Sequence, residues 1–208
     1  MSAPIAILLG AGKGERFGGP KVLAPWVHLG FEGPLGVAHL QARRDDCSRA
    51  LLVVRAAFAA ALRAYPLPPG AELVCSSEPD EDGPAGSIAA ALAYVAPTAN
   101  SWLLLSPVDA PPASTATVRA LCDAVNGRDD ARASRPVHGG RGGHPVLVRA
   151  GVLVDAYRDG RPPLRQVLRG LGRAFLDVPV EDPDVTLDFD YREALLSHLE
   201  KGGRASRA

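Results

Sequence analysis

Apolar runs of strand length alternate with segments of helix length as far as Val125, and this alternation constrains the fold more than any other feature. The runs fall at 4–10, 50–54, 72–75 and 101–106. The helix-length segments are 34–46, 56–65, 86–95 and 114–125. Strands joined through helices pair in parallel. Parallel strands are covered on both faces, so they read as unbroken apolar stretches. The expected class is therefore α/β, a mostly parallel central sheet between two helical layers. In such sheets ligands bind beyond the carboxyl ends of the strands.

The rhythm changes past Gly127-Arg128-Asp129-Asp130, which reads as a turn. Strands are expected at 134–138 and 144–149, joined by Gly139-Gly140-Arg141-Gly142-Gly143. Helices near 150–158 and 162–171 follow, then a strand at 174–180. Residues 185–189 are read as one more strand before a last helix at 191–200, and 201–208 as a disordered tail. A single domain over 1–200 accounts for the pattern. Pro66-Leu67-Pro68-Pro69-Gly70 is a loop within it rather than a linker.

The first apolar run, Ile5-Ala6-Ile7-Leu8-Leu9, passes straight into Gly10-Ala11-Gly12-Lys13-Gly14-Glu15-Arg16-Phe17-Gly18-Gly19-Pro20-Lys21. Glycines let backbone N–H groups approach and turn toward one anion. Arg offers phosphate a planar fork, and Lys a point charge. The stretch reads as a polyphosphate loop. Its phosphate-contacting candidates are Leu9, Gly10, Ala11, Gly12, Lys13, Gly14 and Lys21, with Arg16 as a further cation. Two better-known glycine loops fail here. G-x-x-x-x-G-K-[ST] needs Ser or Thr after its Lys, and Val22 follows Lys21. G-x-G-x-x-G meets Glu15 or Phe17 at its third glycine. An ordinary glycine-rich turn would not require Arg16 and Lys21 at this spacing.

The pattern Leu-x-Ala-Gly-x-Gly-x-Arg-(Met/Phe)-Gly-x-Pro-Lys resembles the signature loop of nucleotidyltransferases. Leu9, Ala11, Gly12, Gly14, Arg16, Phe17, Gly18, Pro20 and Lys21 match it. Among these enzymes the chain resembles the molybdenum cofactor cytidylyltransferase and guanylyltransferase branch. The resemblance implies a three-layer, Rossmann-like nucleotidyltransferase fold. Gly140-Arg141-Gly142-Gly143-His144-Pro145-Val146 is similar to that branch's Gly-x-x-Gly-His-Pro segment, which makes His144 and Arg141 candidate acceptor contacts. Pro79, Gly83, Ser87 and Ile88 match the loop that contacts base and ribose, so Ser87 becomes a nucleotide candidate. Glu81 and Asp82 read as solvated charge.

The run 103–106 delivers Asp109 to its carboxyl end, and Pro111 and Pro112 stop regular structure behind it. A carboxylate there suits a hard divalent cation bridging triphosphate oxygens. The competing reading, an Asp capping the next helix, is better met by Ser114. Asp109 resembles the Asp of the family's magnesium-binding segment, and the resemblance makes Asp109 catalytic together with Arg16 and Lys21. Asp188-Phe189-Asp190 presents two carboxylates on one side if extended. It resembles the family's second metal segment, which maps the ligand onto Asp190. Tyr191-Arg192-Glu193-Ala194 departs from that segment's Thr-Pro-Glu-Asp, so Asp188 stands as the alternate, and either Asp could instead cap the last helix.

Lys plus Arg number 23 and Asp plus Glu 23, so no net charge draws the chain to nucleic acid or to an anionic membrane. No apolar run is long enough to span a bilayer, and the N-terminus lacks a secretion signal. Three widely spaced cysteines without a C-x-x-C pair fit a reducing compartment, so the cytoplasm is expected, as a monomer or small homo-oligomer. The resemblance implies Mg2+, a nucleoside triphosphate donor and a small phosphorylated acceptor, molybdopterin first, with pyrophosphate released. Leu-x-Ala-Gly and Pro20-Lys21 favour CTP. Lys13-Gly14 instead resembles sugar-phosphate nucleotidyltransferases, and 26–33 departs from the usual continuation. A non-catalytic nucleotide-binding module is the alternative class. Retention of Arg16, Lys21 and Asp109 speaks against it.

Overall fold

The computed structural model describes residues 2–28, 31–76, 84–158 and 160–205. In chain order the elements are β1 (Ile5–Leu9), β2 (Pro25–His28), β3 (Phe31–Pro34), α1 (Leu35–Ala42), β4 (Arg49–Arg55), α2 (Ala56–Arg63), β5 (Ala71–Ser76), α3 (Ala85–Val95), β6 (Trp102–Pro107), α4 (Thr115–Val125), β7 (Ala133–His138), β8 (Arg141–Gly142), β9 (Val146–Arg149), α5 (Ala150–Ala156), α6 (Leu164–Gly170), β10 (Phe175–Pro179) and α7 (Arg192–Ala205). The main sheet runs β10-β7-β9-β6-β1-β4-β5, with β8 added to β7. Strands β1, β4, β5 and β6 pair in parallel, as do β7 and β10. Only β9 on this path runs against its neighbours. The expected α/β class is the one observed.

The period-two alternation of the strands divides the core. Ile7, Leu51, Val53, Leu103 and Leu105 face α3, α5 and α6 through Ile88, Leu153 and Leu168. Ala6, Leu8, Leu52 and Val54 face α1 and α2 through Val37, Leu40, Ala59 and Leu62. Each fully buried aliphatic chain contributes ~1.5–3 kcal/mol, so both faces are needed to hold the sheet. The chain steps outward from β1 to β4 and β5, and α3 then carries it back to β6 on the other side of β1. This reversal opens a crevice at the carboxyl ends of β1 and β6.

Several local expectations are corrected. Helix α1 stops at Ala42 rather than 46. Its first six residues are buried all round, because it lies between the main sheet and a β2–β3 hairpin that the sequence did not announce. Strand β9 starts at Val146, not His144, since Pro145 has no N–H to give a ladder. Residues 185–189 are not a strand. Pro183–Thr186 form a 3-10 turn, fixed by Pro183 and by the Asp182 carboxylate accepting the Asp184 N–H at 3.1 Å. Helix α7 continues into the segment read as a tail, whose last residues, 206–208, lie outside the described residues. So do Pro79, Gly83, Glu81 and Asp82. Ser114 caps α4, its Oγ accepting the Thr117 N–H at 3.2 Å. Among the described residues no helix is long and apolar enough to cross a membrane.

Candidate active site

The crevice holds two chambers. The first, about 480 Å³, lies against the glycine loop and is lined by Gly12, Lys13, Gly14, Arg16 and Lys21. The second, about 430 Å³, is lined by Ala11, Pro84, Val146 and Leu164, with His144 and Asp188 as the polar side chains it does not share with the first. Leu9, Gly12, Asp109 and Asp190 line both, so the chambers meet at two carboxylates.

The loop takes its shape from a few positions. Gly14 has φ +67°, and a Cβ there would stand 1.9 Å from the Gly19 carbonyl oxygen. The Gly14 carbonyl accepts N–H bonds from Phe17 at 3.0 Å and Gly19 at 3.1 Å, which closes a tight return. Phe17 is buried with Trp26, Leu35 and Phe189 and anchors that return. Gly10 is tied to the sheet by its N–H on the Val53 carbonyl at 2.8 Å. Among the described residues, the N–H groups of Ala11, Gly12, Lys13 and Gly14 donate to no backbone acceptor. They remain available to an anion.

At the junction, Lys21 Nζ lies 3.1 Å from Asp109 and 3.6 Å from Asp190. The two carboxylates therefore converge on one cation already. Their hard oxygens are the chemistry that holds a divalent ion shared with a phosphate. Among the described residues no three His, Cys, Asp or Glu side chains gather into a self-contained cage. Phe189 sets the register of the second carboxylate. Its N–H bonds the Asp109 carbonyl at 2.5 Å, and its ring is buried beside Trp26 and His198. Asp188 and Asp190 flank it and face the crevice. Asp190 lines both chambers and Asp188 only the second.

Helix α1 pins the loop behind Asp109. His39 is buried, and its Nε2–H donates to the Ala110 carbonyl at 3.0 Å. Burial drops its pKa from 6.5 to about 4, so the ring is neutral at neutral pH. Arg43, also buried, donates through Nη2 to the Ala113 carbonyl and pairs with Asp46. In the second chamber, the Val185 carbonyl accepts the His144 N–H at 2.8 Å and seats that ring near Asp188. Burial lowers the pKa of His144. Burial first, then the neighbouring Asp109 charge, raises that of Asp188.

Thus Leu9, Gly10, Ala11, Gly12, Lys13, Gly14, Arg16, Lys21, Asp109, His144, Asp188 and Asp190 come together. Ser87 does not join them; it is fully buried on α3 and lines neither chamber. Arg141 lies exposed on β8 and lines neither chamber. Sequence reasoning missed Arg55, which ends β4 and lines the first chamber. A cation at the carboxyl end of an expected parallel strand was the available signal.

The model of the MobA-like NTP transferase domain matches residues 6–176. A Mycobacterium tuberculosis Rv0371c homologue from Mycobacterium sp. strain JC1 superposes with a TM-score of 0.77 at 24% identity, over 99% of this chain and 100% of that one. Rv0371c of Mycobacterium tuberculosis H37Rv, in complex with manganese, gives 0.71 at 25% identity over 96% and 98%. The 4-diphosphocytidyl-2C-methyl-D-erythritol synthase of Anaerococcus prevotii DSM 20548 shares the fold, with 0.65 at 14% identity over 96% and 98%. Among curated proteins no relative matches the sequence.

Proposed function

The chain belongs to the MobA-like NTP transferase family and is a nucleotidyltransferase; we propose that it moves CMP from CTP onto a small phosphorylated acceptor, molybdopterin first among them. The observation that carries this reading is the meeting of the two chambers at Asp109 and Asp190 with Lys21 between them. The triphosphate would lie along the glycine loop, with the N–H groups of residues 11–14 on its outer phosphates. The acceptor would enter the second chamber. CTP is favoured by the Leu-x-Ala-Gly start and the Pro20-Lys21 end of the loop.

The reaction is an in-line displacement at the α-phosphorus with pyrophosphate leaving. Positioning and charge stabilisation dominate such transfers. Arg16 and Lys21 would neutralise charge growing on the leaving pyrophosphate. Asp109 and Asp190 would hold a divalent cation, magnesium in our reading, which when bound would screen the triphosphate and the acceptor oxygen from each other. The manganese complex of Rv0371c supports use of a divalent ion. An acceptor that is already a phosphate needs no general base. Among the described residues the second chamber is lined by no Lys or Arg. The acceptor phosphate would therefore sit at the cation-bearing junction rather than deep in that chamber. His144 would bond the acceptor as a neutral ring. The unpaired thiols of Cys47, Cys75 and Cys122 support a cytoplasmic location.

A panel of CTP, GTP, UTP and ATP, with and without magnesium, tests the reading by thermal shift and pyrophosphate release. A ligand at ~100 times its dissociation constant adds ~2.7 kcal/mol, enough to raise the midpoint visibly. Magnesium-dependent stabilisation by CTP with turnover on molybdopterin is expected. Stabilisation by none of the four would sink it.

A further inference from the structure

Four cations line the first chamber: Lys13, Arg16, Lys21 and Arg55. Lys13 is paired with Glu15 at 3.9 Å, and Lys21 with Asp109 and Asp190. Arg55 is placed differently. Register pairs Leu9 with Val53, so β4 runs two residues beyond the end of β1, which sets Arg55 beside Ala11. Its Nε–H donates to the Ala11 carbonyl at 2.7 Å. That bond uses one of the five N–H groups of the guanidinium and none of its charge. Among the described residues Arg55 meets no carboxylate, and its two terminal nitrogens have no acceptor.

We propose that Arg55 is a donor-binding residue with two simultaneous tasks: it braces the glycine loop through Nε and clamps the outer phosphates of the nucleoside triphosphate with its terminal nitrogens. The proposal rests on the first chamber being the donor site. A triphosphate brings more negative charge than one divalent cation cancels, and Arg16 and Arg55 are the chamber cations left without a carboxylate among the described residues. A guanidinium suits both tasks because its fork presents donors on separate edges. Lysine could do one or the other.

Inorganic pyrophosphate and CMP separate the possibilities, measured by calorimetry on the wild type, Arg55→Gln and Arg55→Lys. Glutamine keeps an amide donor for Ala11 but has no charge. Arg55→Gln is expected to lose at least about tenfold in affinity for pyrophosphate and for CTP, with CMP binding unchanged and the thermal midpoint held. Arg55→Lys is expected to fall between the two. Unchanged pyrophosphate binding in Arg55→Gln would reduce Arg55 to a loop brace and overturn the clamp. An equal loss for CMP would move Arg55 to the nucleoside and overturn it as well. Should Arg55→Gln not fold, Arg55→Lys decides alone: undiminished pyrophosphate affinity overturns the clamp. A wild type that binds neither pyrophosphate nor any triphosphate overturns the donor-site reading itself, and the clamp with it.

Discussion

Lys21 Nζ stands 3.1 Å from the Asp109 carboxylate, though 88 residues separate them in the chain. Asp190 approaches the same ammonium at 3.6 Å. The lysine thus holds two like charges together before any ligand arrives. Replacing Lys21 with Ala should lower turnover at least ~100-fold, the scale of losing one electrostatic group at a reacting phosphate. The same variant should bind Mn2+ more tightly in the absence of nucleotide, because the two carboxylates lose their internal counter-ion. Turnover near wild type, or weakened Mn2+ binding by titration, would contradict this account.

Asp109→Asn separates chemistry from folding. The pair with Lys21 is partly solvated, and Asp190 stays close, so unfolding free energy should change by under ~1 kcal/mol. Turnover should nevertheless fall at least ~100-fold. Urea titration and pyrophosphate release on one preparation would check both halves.

Gly12 and Gly14 should respond oppositely to a methyl group. A Cβ on Gly12 meets nothing within 4 Å, whereas one on Gly14 collides with the Gly19 carbonyl at a positive φ. Gly14→Ala should therefore destabilise the chain by 1 kcal/mol or more, on the order expected for strain of this kind. Gly12→Ala should keep the wild-type midpoint yet weaken nucleotide binding, since Gly12 lines both chambers. Thermal melts with and without nucleotide distinguish them.

Acid should act through His39. Its folded pKa of about 4 lies below the ordinary 6.5, so the unfolded chain binds more protons between those values. The stability that His39 contributes is complete above pH 6.5 and drains as pH falls toward 4, by at most ~1.4 kcal/mol per pH unit. Arg43 opposes protonation and Asp109 favours it. Buried His144 adds a slope of the same sign, so the informative quantity is the difference between the wild type and His39→Gln, whose amide can still reach Ala110. Urea melts from pH 7 to 4.5 should show a shallower loss in the variant. Parallel losses would remove His39 from the account.

What could be read in advance was whatever depended on local pattern. β1, β4, β5 and β6 announced themselves as continuous apolar runs, and Asp109 as the residue that ends one of them before two prolines. The β2–β3 hairpin did not, because each four-residue strand carries a proline and neither alternates cleanly. Residues 185–189 misled through their apolar content, while Pro183 and Asp182 dictated a turn. Arg55 could be read only as a cation ending an expected strand, and its contact was missed for another reason. Its role arises from the stagger between β1 and β4, and no local window contains that stagger. Ser87 matched a motif, but the packing of α3 buried it.

The backbone bond from Phe189 to Asp109 also bears on how the molecule comes into being. The glycine loop and Asp109 are carried by β1 and β6, far upstream of Phe189, and a domain generally folds as a unit. The second carboxylate arrives only with residue 190, after β10 and next to the last helix. Phe17, which anchors the glycine loop, packs against Phe189, so a chain that stops short of the last helix lacks both a finished loop and its second carboxylate. Loop and carboxylate pair are therefore completed together, at the end of synthesis.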